Sequence, residues 1–219
     1  FNANDHFVTF YQFGRKDPFP DIDKYNGTIP YEYSHPISSY RELIQHPDYF
    51  LMIWNSSGGK LKDYSNFWNM DHGAYYRMAG NGMRLDVPIV KTIYDPCPAG
   101  FHVPADNAFS GFVTNQYGGT LSSGLVNAVG GWNNGVNLRV SSGSSQTIFF
   151  PGFGNLMYNP YTGKIYNIKS ITTYISVYGK LAGYNNYGLQ LVAGNSDPYV
   201  SPWSDDGGRA DCVRPVADN

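Results

Sequence analysis

The residues able to do chemistry are few and scattered. Two cysteines stand at positions 97 and 212, and five histidines at 6, 35, 46, 72 and 102. Cys97 lies in Tyr94-Asp95-Pro96-Cys97-Pro98-Ala99-Gly100-Phe101-His102-Val103-Pro104. Pro96 and Pro98 clamp φ on either side of it and push their predecessors towards extended geometry. Cys212 lies in Asp211-Cys212-Val213-Arg214-Pro215, a short terminal strand. A cysteine held rigidly in mid-chain and one in a last strand read as a disulfide, Cys97 to Cys212. Closing a loop of that length contributes roughly 4–5 kcal/mol in the chain-entropy model. The alternative is two separate structural cysteines. Bonded sulfurs cannot act as nucleophiles, and two thiols without a nearby His pair give no zinc site. The sequence has no Gly-x-Ser-x-Gly elbow and no His-Glu-x-x-His, and His102 reads as a structural or solvated side chain. No catalytic residue is expected.

Calcium is the next candidate. Asp21-Ile22-Asp23-Lys24-Tyr25-Asn26-Gly27 with Glu32 mimics an EF-hand loop at its first, third and twelfth positions. Tyr25 supplies no carboxylate at the fifth position, and Gly27 falls one residue late. Asp205-Asp206 is a second carboxylate pair, in a stretch that also reads as a solvated turn. No metal site and no cofactor is expected. Gly58-Gly59-Lys60 and Gly163-Lys164 lack the spacing of a phosphate loop. Asn26-Gly27-Thr28 and Asn55-Ser56-Ser57 are formal glycosylation acceptors.

Three loops combine aromatic faces with amides: Gly131-Trp132-Asn133-Asn134-Gly135, Tyr184-Asn185-Asn186-Tyr187-Gly188, and Pro198-Tyr199 onward to Trp203 and Asp205. Sugars present CH faces for stacking and hydroxyls for bidentate amide contacts. The expected ligand face is Trp132, Asn133, Asn134, Tyr184, Asn185, Asn186 and Tyr187, with Trp203 and Asp205 at the rim. The competing reading is that Asn and Gly serve left-handed turns while the aromatics join the core.

Composition narrows the class of protein. Net charge is −2, with no basic field to attract phosphates, so nucleic acid is not an expected partner. No apolar run approaches the length of a membrane helix. With 25 Gly and 14 Pro the chain exceeds the roughly 12% usual for these two residues, which marks it as turn-rich. Its 19 Tyr, few charges and many amides suit an exported protein with adaptable surfaces.

The elements that must position these residues follow from patterning. Phe7–Phe13 reads as a strand. Ser38 or Ser39 caps a helix through Tyr40–Gln45, with Glu42 completing a capping box, and Pro47 ends it. Tyr49–Trp54 is a short apolar segment, and 55–91 wraps the surface, held by Phe67, Trp68, Tyr75 and Tyr76. Ala105 or Asp106 opens a second helix, Asn107–Gln116, with Phe109, Phe112 and Val113 as one stripe. Strands are expected at Leu138–Val140, Gln146–Phe150, Lys164–Ile168, Thr172–Tyr178, Leu189–Val192 and Ala210–Val216. Two helices ahead of a small mixed sheet give an α+β fold in a single domain, 1–219.

The Cys97 stretch resembles the DPCPxGxxVP signature of the major paralogous domain family (FISUMP) of Bacteroidetes surface and fimbrillin-like lipoproteins. Tyr11-Gln12-Phe13-Gly14-Arg15-Lys16-Asp17-Pro18-Phe19 resembles that family's YQWGRKDPF, with Phe13 for Trp. Phe150-Pro151-Gly152-Phe153-Gly154 and Cys212-Val213-Arg214 follow in order. Thr173-Tyr174-Ile175-Ser176-Val177 departs from a YWSS-like segment, and Ala105 stands where a Thr is usual. The resemblance implies a C-type-lectin-like fold on the bacterial cell surface, at the outer membrane or in a fimbria. The chain would then be the C-terminal part of a longer exported protein. The expected function is a non-enzymatic, calcium-independent adhesin or fimbrial binding module for a glycan or a host or bacterial surface protein. The alternative is a structural subunit mating with other pilin subunits.

Overall fold

The computed structural model describes residues 9–12, 14–19, 45, 68–69, 89–113, 119–159, 164–167, 170–179, 185–193, 199–201, 205–206 and 209–218. Among them strands dominate. They are β1 (Phe10–Gln12), β2 (Phe101–His102), β3 (Gly119–Thr120), β4 (Ala128–Val129), β5 (Gly135–Arg139), β6 (Thr147–Pro151) and β7 (Leu156–Asn159). The rest are β8 (Lys164–Asn167), β9 (Ile171–Gly179), β10 (Asn185–Val192), β11 (Tyr199–Ser201), β12 (Asp205–Asp206), β13 (Arg209–Cys212) and β14 (Val216–Ala217).

The α+β expectation, with its C-type-lectin-like pair of helices, is therefore corrected: the described residues form a mostly β-sheet structure. The second expected helix is a seven-residue 3-10 helix, Asp106–Phe112. Ala105 offers no capping oxygen, and Gly111 weakens the last turn. Val113 then leaves in extended geometry, φ −126° and ψ 148°, and bridges to Val126. Phe109 and Phe112, three residues apart, still share a face, because a 3-10 helix repeats every three residues. The first expected helix, Tyr40–Gln45, lies outside the described residues except for Gln45. So do Phe7, Val8, Tyr49–Trp54, Phe67, Tyr75 and Tyr76.

The main sheet has nine strands. Its central path runs β3, β11, β10, β9, β13, β7, β8, with β1 added on β13 and β12 on β10. All pairings are antiparallel except β13 with β9. On β13, Ala210 pairs with Gln12 of β1 and Leu156 of β7, while Cys212 pairs with Phe10 of β1 and Tyr174 of β9. A strand has only two sides, so β1 flanks one side of β13, and β7 gives way to β9 along the other. A second sheet, β4-β5-β6, and a two-stranded ribbon, β14-β2, complete the described fold.

Alternation along the strands sorts the core into two clusters. Phe10, Cys212, Tyr174, Leu189 and Leu191 share one cluster with Val136, Leu138 and Phe150 of the second sheet and with Phe109 and Phe112. Ile175 and Val177 of β9 instead join Trp68, Cys97 and Val103. Phe150 is the hub of the larger cluster. Its ring meets those of Phe112 at 5.1 Å, Tyr174 at 5.2 Å and Phe109 at 6.4 Å, each edge to face.

No helix among the described residues is long and apolar enough to cross a membrane.

Candidate functional site

The Cys97 stretch is a locked loop. Asp95 is buried, and its two carboxylate oxygens accept from the backbone N–H of Cys97 at 2.7 Å and of Val103 at 3.0 Å. The first of these bonds is an Asx turn, spanning two residues as Asx turns do. The Lys91 ammonium reaches into the loop, 3.8 Å from Asp95 Oδ1. Gly100, at φ +82°, reverses the chain in a conformation that L side chains rarely adopt. Phe101 N closes that turn on Pro98 O at 3.1 Å. Beyond it, His102 Nδ1 lies 2.7 Å from Asp218 Oδ1, and Asp218 N bonds Gly100 O at 2.9 Å. Pro104 O accepts from Val177 N at 2.9 Å, which ties the loop to β9. The sequence reading missed Lys91, Asp95 and Asp218. The Asp-x-Cys spacing of the Asx turn was the one legible signal.

The disulfide expectation is corrected. Cys97 and Cys212 are both free and buried. They belong to different clusters, on opposite faces of the main sheet. Burial and the adjacent Asp95 carboxylate push the Cys97 thiol up to about 12. Burial, reinforced by Asp211, also raises Cys212. Thiols held neutral this way are poor nucleophiles. Burial likewise raises Tyr174, whose hydroxyl donates to Pro151 O at 2.7 Å.

The expected ligand face draws on two sheets. Trp132 and the two asparagines after it lie in the loop joining β4 to β5, on the second sheet. Trp132 is half-buried, packs against the larger core cluster and leans on Gly152. A Cβ added at Gly152 would lie 2.7 Å from Trp132 Cζ2. Asn134 takes φ 50°, its carbonyl accepts from Gly152 N at 2.8 Å, and Asn133 N bonds Gly135 O at 3.0 Å. Both asparagines are exposed, but their backbones serve a left-handed turn.

On the main sheet the pattern differs. Asn185 is the register partner of Asp206, and Asn186 that of Asp205. On the other side of β10, Asn186 faces Gly179 of β9, and the register shifts between Asn186 and Gly188, around Tyr187. Pairing thus sets Asn186 in register with Asp205, and Asn185 with Asp206 one rung along, at positions that alternate between the two faces of the sheet. Tyr184 and Trp203 lie outside the described residues. So do the loop Asp21–Gly27 with Glu32, the acceptors Asn26 and Asn55, and Gly58-Gly59-Lys60.

The four stretches that carry the family resemblance gather around β9 and β13. Phe10 pairs with Cys212 and bridges to Phe19, over whose ring Arg15 sits at 4.4 Å. Arg214 sits 4.6 Å over Phe150 and donates to Phe149 O at 2.9 Å. Trp68, clustered with Cys97, donates to Arg15 O at 3.2 Å. No protein-family model matches the chain, nor does any curated protein or solved structure.

Proposed function

We propose that the chain is a non-enzymatic, cell-surface adhesin or fimbrial binding module. It takes a glycan or a surface protein, without calcium, at the end of the sheet where β10 meets β12. The carrying observation is the register that sets Asn186 against Asp205. An amide donates to and accepts from hydroxyls, and a carboxylate accepts two more, the complement of vicinal sugar hydroxyls. Gly179, opposite Asn186, adds no side chain to crowd the approach. The resemblance to exported Bacteroidetes surface proteins supports the location. Two buried, neutral thiols on opposite faces are compatible with an oxidising compartment, because neither presents a thiolate to solvent.

The test is a glycan array and surface-protein panel probed with the wild type and with Asn186→Ala/Asp205→Ala. The reading expects capture by the wild type and at least tenfold weaker capture by the double variant, with unchanged melting. Equal capture by both proteins, or none by the wild type, rejects it.

One observation favours a second reading, the structural subunit. The path of the main sheet ends at β8, with no further strand beyond it among the described residues. A strand end of this kind accepts an added strand from a neighbour. Concentration-dependent assembly in sedimentation, abolished by Ile165→Pro on β8, would favour this reading over the first.

A further inference from the structure

The hydrogen bonds of the Lys91 ammonium all go to backbone. Its three N–H groups meet three carbonyl oxygens, those of Cys97 at 2.6 Å, Pro98 at 2.8 Å and Phe101 at 2.5 Å. Donors and acceptors match one for one. Asp95, whose side chain is fully buried, adds a negative charge 3.8 Å away. Oxygen atoms therefore line the inner side of a compact positive charge that the chain supplies from its own side chain, which stays 29% exposed.

The cage does not depend on Lys91 for its shape. Pro96 and Pro98 fix two φ angles of the loop, and Asp95 pins the N–H groups of Cys97 and Val103. Gly100 and the Phe101–Pro98 turn fold the far wall back, and the Asp218–Gly100 bond braces it from outside. Carbonyls aimed at a common point by such a frame replace the hydration shell of a monovalent cation, as they do in ion-selective filters. Calcium asks for about six to eight oxygens. Three neutral carbonyls and one carboxylate 3.8 Å away supply a single negative charge, which suits a singly charged ion with water completing its shell.

We propose that the Cys97–Phe101 loop is a monovalent-cation site whose resident ion is the Lys91 ammonium. Cutting back that side chain opens the site to free potassium or a small primary ammonium.

The experiment uses the full chain with Lys91→Ala, melted at equal ionic strength in potassium, methylammonium or choline chloride. Wild type should melt alike in all three. Lys91→Ala should melt several degrees lower in choline, whose methylated quaternary nitrogen has no N–H to give the carbonyls, and recover at least half of that loss in potassium or methylammonium. Equal melting of the variant in all three salts overturns the proposal. If Lys91→Ala does not fold in choline, refolding from urea in each salt is the readout. Recovery confined to the small cations supports the site, and failure in every salt overturns it. Lys91→Gln fills the cage with a neutral amide and should not distinguish the salts. A gain in potassium as large as that of Lys91→Ala would be a bulk salt effect, and the proposal would fall.

Discussion

Cys212 stands opposite Tyr174 on the parallel rung that joins β13 to β9. Register partners share a face, so both side chains enter the Phe150 cluster. Cys97 packs instead with Ile175, one residue further along β9, and alternation turns that residue to the other face. The sheet itself separates the two sulfurs. Native protein should therefore show no thiol reactive towards Ellman's reagent, and denaturation without reductant should release two. Denaturation that releases none would mean the cysteines are bonded and the face assignment is wrong.

Stability should decline at high pH through Cys97. Its thiol titrates at about 12 in the fold, against an ordinary 9.0. Between those values the unfolded chain has lost this proton and the native one keeps it, so the unfolded state binds fewer protons and stability falls as pH rises. The contribution is complete below about 9 and gone by about 12. Urea midpoints measured from pH 8 to 11 should fall, and Cys97→Ala should flatten the decline. An unchanged slope in the variant would count against the burial of this thiol.

Asp95 should matter more than any histidine. Asp95→Ala leaves two buried N–H groups and the Lys91 ammonium without their carboxylate, a loss of about 3 kcal/mol. Asp95→Asn keeps the shape and one acceptor, and should cost less. Chemical denaturation of both variants orders them. A loss below about 1 kcal/mol for Asp95→Ala would show that the loop is held by other means.

Phe150→Ala removes the ring on which Phe109, Phe112, Tyr174 and Arg214 converge. The expected cost is about 3–5 kcal/mol. Trp132→Ala should also destabilise, though less, because Trp132 is only half-buried against Gly152. Asn186→Ala and Asp205→Ala should leave the melting temperature within about 2 °C if the two serve a ligand rather than the core. Thermal melts of the four variants separate core from ligand face. A Trp132→Ala protein as stable as the wild type would return that residue to the list of exposed stacking platforms.

Local chemistry was legible from the residues alone. Strands rich in β-branched and aromatic residues, such as Thr172–Tyr178, declare themselves, because burying both faces of a central strand demands such side chains. The same holds for the turn at Asn133–Asn134 and the rigidity of the Pro-flanked Cys97. What escaped was set by distant partners. The Phe109–Phe112 spacing fits α and 3-10 geometry alike, and only the bridge from Val113 to Val126 drew the chain out of the helix after Phe112. Short strands such as β3, β11 and β12 have too few residues to show a period and exist because a neighbour's ladder accepts them. The fate of the cysteines turned on parity. Which face a side chain takes depends on strand register, and one residue of shift along β9 decides it. Asn186 and Asp205 were already grouped on one expected ligand face, but the rung on which they stand opposite each other is a product of register.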